Sequence, residues 1–145
     1  MRTPASLNGH PIHAMLVPLA IGLWIFALVA DLAVLLGGAA AWGVVAFYCI
    51  AGGIAGALLA AVPGLIDLLS LKDPATRSVG IKHMVLNLAA VAVFALNLYL
   101  RWNSTGGAGP WWLTLAGVAA IGVSGWLGGE LVYRHGVGQD PLPPR

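Results

Sequence analysis

The chain has 145 residues, of which 59% are hydrophobic and only 8% charged, with a formal net charge of +2. A soluble domain carries roughly 25% charged residues, so this composition excludes a water-soluble fold and favours the hydrocarbon of a membrane. The small net charge gives no indication of nucleic-acid binding, and the single cysteine, Cys49, excludes an intrachain disulfide.

Four apolar stretches are long enough to cross a membrane, since a transmembrane helix needs about 20 apolar residues. In chain order they cover residues 11–36, 42–71, 81–101 and 110–133, and a proline-rich tail follows over 134–145. The breaks carry turn residues, namely Gly37-Gly38, the polar segment around Pro74 and the segment after Asn103. The short connections predict an all-α, single-domain membrane protein, a four-helix bundle with up-down-up-down topology.

The positions of Lys and Arg predict the orientation of the spans. The N-terminus, the second loop and the C-terminus share one side of such a bundle, which holds six basic residues: Arg2, Lys72, Arg77, Lys82, Arg134 and Arg145. The other side holds Arg101 alone. Because cytoplasmic loops are enriched in Lys and Arg, both termini are predicted to be cytoplasmic. The opposite ends carry tryptophans, which favour the membrane interface: Trp42, Trp102, Trp111 and Trp112.

The histidines and two carboxylates fall at the predicted cytoplasmic ends of the helices. The set comprises His10, His13, His83, His135, Asp67 and Glu130. The first and third helices lie diagonally across an antiparallel bundle, so His13 and His83 are expected to face each other in its interior. Two such imidazoles are what the axial ligation of a b-type haem requires. The leading hypothesis is therefore a small redox protein that binds haem at this end of the bundle.

In the haem hypothesis, further polar side chains surround the two axial ligands. His10 and Lys82, with Arg77 as a third contact, are predicted to bind the propionates. Asp67 and Glu130 are predicted to accept the N–H groups of the ligands.

Two other interpretations remain open. The first is the binding or transport of a zinc, iron or copper ion by nitrogen and oxygen donors drawn from His10, His13, His83, Asp67 and Glu130. The second is a cofactor-free accessory subunit that forms a homo-oligomer or joins a larger complex through its GxxxG faces. A stand-alone enzyme is not favoured, because Ser124 lies several helical turns from any histidine along the chain.

A charged pair is predicted at the opposite end of the bundle. Asp31 follows His13 by eighteen residues, and Arg101 follows His83 by eighteen, which is five helical turns in each case. Each charge therefore shares a helix face with its histidine. Since polar groups inside a membrane normally face the bundle interior, Asp31 and Arg101 are expected to form a structural pair. The alternative is that both side chains extend separately to the interface.

Several motifs resemble the bacterial membrane family known as domain of unknown function 2231. They are His10-Pro-Ile-His13, Gly64-Leu-Ile-Asp67, His83 with Asn87, and the segment from Gly125 to Gly138. As the resemblance implies, members are four-helix membrane proteins, sometimes fused or adjacent to Rieske-type iron–sulphur domains. The resemblance thus implies a bacterial inner membrane, a redox setting and a Rieske-type or other respiratory partner. Ala14 departs from the family pattern, in which a proline commonly follows the second histidine.

Overall fold

The chain folds into four long helices preceded by a short hairpin. The structure, a computed structural model, describes residues 3–103 and 109–139. Arg2, Arg145 and the end of the predicted tail lie outside the described residues. The elements are β1 (Ser6–Leu7), β2 (His10–Pro11), α1 (Ile12–Leu35), α2 (Ala41–Ser70), α3 (Pro74–Trp102) and α4 (Trp111–Tyr133). All four helices are long and apolar enough to span a membrane, which confirms the predicted all-α membrane fold.

The core lies between two helix hairpins. The contacts of α1 with α2 and of α3 with α4 are extensive, whereas those of α1 with α4 and α2 with α3 are fewer. At the centre, Trp24 of α1 stacks on Phe94 of α3, with ring centroids 4.3 Å apart. Glycines of the other helices admit these rings: a Cβ on Gly53 would overlap the Trp24 indole, and one on Gly117 would lie 2.6 Å from Phe94. Two glycines therefore determine how closely the helices approach the aromatic stack.

Substitution of Gly117 by Ala is expected to lower the free energy of unfolding by about 1–3 kcal/mol, because an added methyl group in a packed core forces neighbouring rings aside. Gly122 on the same helix provides the matched control, since a Cβ there would meet nothing within 4 Å. Both variants can be unfolded by dodecyl sulphate in mixed micelles and followed by circular dichroism. Equal stabilities for the two variants would contradict the tight contact at Gly117.

α3 begins at Pro74 and not at the predicted position near Ile81. The Asp73 carboxylate caps the helix: it accepts a hydrogen bond from the Thr76 backbone N–H at 2.8 Å and from its hydroxyl at 2.6 Å. Pro74 suits the first helical turn, where its missing N–H needs no partner. Hydropathy missed these two turns because they are polar, and the cap, which sets the boundary, is a local hydrogen-bond pattern.

The cap predicts a pH-dependent stability. The hydrogen bonds from Thr76, first from its hydroxyl and then from its backbone N–H, hold the pKa of Asp73 below its ordinary value. A lowered folded-state pKa stabilises the fold fully above about pH 4, the unfolded value, and this stabilisation is lost as the pH falls through the folded value. D73A is therefore expected to lower the melting temperature at pH 7, with a smaller deficit at about pH 3. A deficit of the same size at both pH values would show that the carboxylate charge is irrelevant.

The segment before α1 is a hairpin fixed to the end of α2. Its turn lies at Asn8 and Gly9, both of which have positive φ (49° and 83°), as a two-residue hairpin turn requires. The backbone N–H of Ala5 donates to Asp67 Oδ1 at 2.9 Å. Because Asp67 is buried at the end of α2, this bond anchors the hairpin across one end of the bundle.

Candidate functional site

His13 and His83 meet between the two helix hairpins. Their ring centroids are 6.1 Å apart and their ring planes are almost perpendicular, at 87°. His13 lies in the first turn of α1, and His83 lies in the third turn of α3. Both side chains are half-buried. The imidazoles of α1 and α3, which lie diagonally across the bundle, thus approach each other closely.

Each imidazole is oriented by a backbone carbonyl of a neighbouring helix. His13 Nδ1 lies 2.8 Å from the Ala60 carbonyl oxygen, and His83 Nδ1 lies 2.8 Å from that of Ser124. A carbonyl can only accept, so Nδ1 carries the hydrogen in both rings. In the neutral rings Nε2 then carries no hydrogen, so its lone pair can bind a metal or accept a hydrogen bond.

Glycine makes room for each ring. Gly64 follows Ala60 by one helical turn, and Gly128 follows Ser124 by the same interval. A Cβ on Gly64 would lie 2.7 Å from His13 Nδ1, and one on Gly128 would lie 3.2 Å from His83 Cε1. The rings therefore lie directly against helix backbone, and this contact allows their N–H groups to reach the carbonyls.

The two helix hairpins present the same arrangement twice. Between α1 and α3 the equivalent positions differ by 70 (for example 83 − 13): His13 and His83, Trp24 and Phe94, Asp31 and Arg101. Between α2 and α4 they differ by 64 (for example 128 − 64): Gly53 and Gly117, Ala60 and Ser124, Gly64 and Gly128. The imidazoles are therefore equivalent members of two similar halves. These constant intervals were present in the sequence, but only three of the six pairs are identical, namely His13/His83, Gly53/Gly117 and Gly64/Gly128.

The environment of His83 departs from this symmetry. Asn87 Nδ2 donates to His83 Nε2 at 3.0 Å, whereas Val17 occupies the equivalent position in α1. The Ser124 hydroxyl oxygen lies 3.0 Å from His83 Nδ1, so the expectation that Ser124 is remote from every histidine is wrong. Helix packing brings them together despite their separation along the chain. Ser124 is nevertheless not an accessible nucleophile, since it is buried and its hydroxyl donates to the His83 carbonyl at 3.3 Å.

The carboxylates predicted to hold the ligand N–H groups have other partners. Asp67 accepts the Ala5 N–H, as described above, and Glu130 pairs with Arg134 one turn later at 3.2 Å. The backbone carbonyls of Ala60 and Ser124 take the predicted role instead. A sequence pattern of side chains does not reveal such acceptors, because every residue has a carbonyl.

The predicted metal-ion cluster is not assembled. His10 lies in β2 rather than in a first helical turn, is exposed, and has Nδ1 3.1 Å from the Asn8 carbonyl oxygen. The expected helical spacing to His13 therefore does not apply. Within residues 3–103 and 109–139, no group of three or more His, Cys, Asp or Glu is placed to hold a metal ion.

The remaining members of the predicted site also lie elsewhere. Lys82 is exposed and lines a surface groove with Arg77. His135 donates from Nδ1 to the Thr76 hydroxyl oxygen at 2.9 Å, and the Thr76 hydroxyl in turn donates to Asp73. His135 thus fixes the segment after α4 to the start of α3.

The opposite end of the bundle contains a buried ionic network. Arg101 Nη2 lies 2.6 Å from Asp31 Oδ2, and both side chains are at most 4% exposed. The Thr114 hydroxyl donates to Asp31 at 2.7 Å, and Asn97 Oδ1 accepts from Arg101 Nε at 2.7 Å. The Asn97 amide also donates to Thr114 at 2.8 Å, so the network links α1, α3 and α4. The predicted pair is present, and Asn97 and Thr114 extend it.

The comparisons with known proteins define the family and nothing more specific. No curated protein and no solved structure gives a significant match to the chain. Residues 9–141 match the family model described as "Predicted membrane protein (DUF2231)". This match includes all four helices and both histidines of the central pair. The chain therefore belongs to this family of predicted membrane proteins.

Proposed function

We propose that the chain holds a b-type haem between His13 and His83 and transfers electrons in a bacterial inner membrane. The observation that supports this most strongly is the 6.1 Å separation of the ring centroids. If Nε2 of both rings faced one metal ion, with metal–nitrogen bonds of about 2 Å, the ring centroids would lie about 6 Å apart, so the observed separation is compatible with a shared metal.

The hydrogen bonds of the two rings support the same assignment. Metal-ligating histidines typically donate their other ring N–H to a carbonyl or carboxylate, which fixes the tautomer and directs the remaining nitrogen to the metal. His13 and His83 both do so, through the Ala60 and Ser124 carbonyls. On ligation, His83 Nε2 would give up its hydrogen bond from Asn87. Haem with two imidazole ligands supplies reversible one-electron transfer.

The helix packing between the hairpins is looser than the packing within them. Contacts are fewer between α1 and α4 than within either hairpin. An apolar groove of about 270 Å³ opens between these helices, lined by residues that include Trp24, Ile121 and Gly125. Gly125 directly follows Ser124, whose carbonyl holds His83. The groove thus reaches the helical turn that carries the His83 acceptor, although neither histidine is among its lining residues.

An absorption spectrum of the purified protein tests this proposal. After expression with added haem, the dithionite-reduced wild type should show a sharp α-band and contain about one haem per protein chain. H13A and H83A should lose this band, and H10A is the matched control, because His10 is exposed on the hairpin. A colourless wild type, or one that retains zinc or copper in place of haem, would overturn the haem assignment. A band retained in H83A would exclude His83 as a ligand.

The distribution of charge supports an orientation with the histidine end toward the cytoplasm. The exposed basic residues Lys72, Arg77, Lys82 and Arg134 lie at that end, and cytoplasmic ends are enriched in Lys and Arg. With Cys49 replaced by Ala, a cysteine at Ser78 should resist an impermeant maleimide in intact spheroplasts. A cysteine at Asn103 should react, and the reverse result would contradict this orientation.

A further inference from the structure

A groove on the first turns of α3 combines basic and apolar surface. It is a shallow depression, largely open to solvent, and it is formed by residues of one helix face: Pro74, Arg77, Ser78, Ile81 and Lys82. All five residues are exposed, Ile81 to 43%. Because the cap at Asp73 starts the helix at Pro74, these turns continue α3 beyond the stretch that hydropathy assigned to the membrane. The groove therefore lies where the spanning helix meets the membrane surface.

The charges around the groove favour an anion. Arg77 and Lys82 contribute two positive charges, and exposed Lys72 lies just before the helix. The neighbouring negative group is Asp73, whose carboxylate accepts hydrogen bonds from the N–H and hydroxyl of Thr76. Arg77 offers paired N–H donors that match two phosphate oxygens, and Ser78 adds a hydroxyl donor.

We infer that this groove binds the phosphate headgroup of an anionic phospholipid through Arg77, Ser78 and Lys82. The lipid is favoured over a free anion because apolar Ile81 and Pro74 line the same groove and can contact the glycerol and acyl region. Basic clusters immediately beside a transmembrane helix are the usual recognition sites for anionic lipids. Arg77 and Lys82 thus have a role separate from the histidine pair.

Native mass spectrometry in detergent, with equimolar phosphatidylglycerol and phosphatidylcholine added, tests this site. The wild type should retain phosphatidylglycerol preferentially. Each basic side chain near an anionic surface contributes about fivefold, so the R77Q/K82Q double variant should lose preference by more than tenfold. The preference should also weaken as the salt concentration rises, because exposed charges are screened.

A control variant that removes one positive charge outside the groove distinguishes binding at this site from a general effect of net charge. R134Q removes one positive charge at the same end of the bundle, from a side chain 75% exposed and paired with Glu130. R134Q should keep the wild-type preference, because Arg134 is not among the groove residues and its charge is already paired with Glu130, whereas K82Q should lose about fivefold. The variants should have the same melting temperature as the wild type, since the substituted side chains are exposed. An unchanged preference in R77Q/K82Q, or an equal loss in R134Q and K82Q, would overturn the assignment.

Discussion

Replacement of Asp31 by Asn is expected to lower the free energy of unfolding by about 3–5 kcal/mol, the largest effect of any single substitution considered. The variant would remove the carboxylate charge that faces the buried Arg101 guanidinium. Removal of one partner of a buried ion pair costs about this much, because the remaining charge keeps its desolvation penalty.

The double variant D31L/R101M distinguishes the pair from a general sensitivity of this region. Replacement of both charges by apolar side chains of similar volume removes the uncompensated charge, so the double variant should be more stable than D31N. Asn97 and Thr114 would keep their mutual hydrogen bond in it. Stabilities can be measured by dodecyl sulphate titration in mixed micelles.

The exposed pair provides the matched control for this prediction. Glu130 and Arg134 form an ion pair one turn apart in which the Arg134 side chain is 75% exposed. Such pairs contribute at most about 1 kcal/mol, so E130Q should unfold close to the wild type. If D31N proved no more destabilising than E130Q, the buried network would have no structural role.

Substitution of Gly64 by Ala should displace the His13 ring and abolish the proposed haem site, while the four helices remain folded. The added Cβ would lie 2.7 Å from His13 Nδ1, which is closer than carbon and nitrogen atoms can approach. The ring must therefore rotate away and lose its hydrogen bond to the Ala60 carbonyl. We expect a destabilisation of about 1–3 kcal/mol, typical of overpacking, and loss of bound haem.

Gly22 of α1 gives the comparison for this substitution, because a Cβ there would meet nothing within 4 Å and the residue is not among those that line the apolar groove. G22A should keep both its stability and its haem content, and circular dichroism should show equal helix content in the two variants. Retention of haem by G64A at the wild-type ratio would mean that the His13 position is not fixed by this contact.

The sequence was sufficient to predict those parts of the structure that depend on hydrophobicity and helical periodicity. Four helices followed from the apolar runs. The approach of Asp31 to Arg101 and of His13 to His83 followed from helical phase combined with the rule that intramembrane polar groups face inward. These features depend on the whole length of a helix, so an error of a few residues in a predicted helix boundary does not affect them.

The parts that could not be predicted depend on local backbone contacts. The acceptors for the imidazoles are carbonyl groups on α2 and α4, and their positions follow from how closely glycine lets the helices approach. The hairpin that places His10 away from His13 depends on two residues of positive φ at Asn8 and Gly9. Neither feature has a hydropathy signal. The expected helical spacing of His10 and His13 was wrong for this reason.

Electron paramagnetic resonance of the oxidised, haem-loaded protein tests most directly whether His13 and His83 are the two axial ligands. Their ring planes differ by 87°. Perpendicular axial imidazoles give a highly anisotropic low-spin ferric signal, whereas parallel ones give a rhombic signal. We expect the anisotropic signal in the wild type and its loss in both H13A and H83A. A low-spin signal that survives unchanged in either variant, or a wild type without ferric haem, would contradict ligation by this pair.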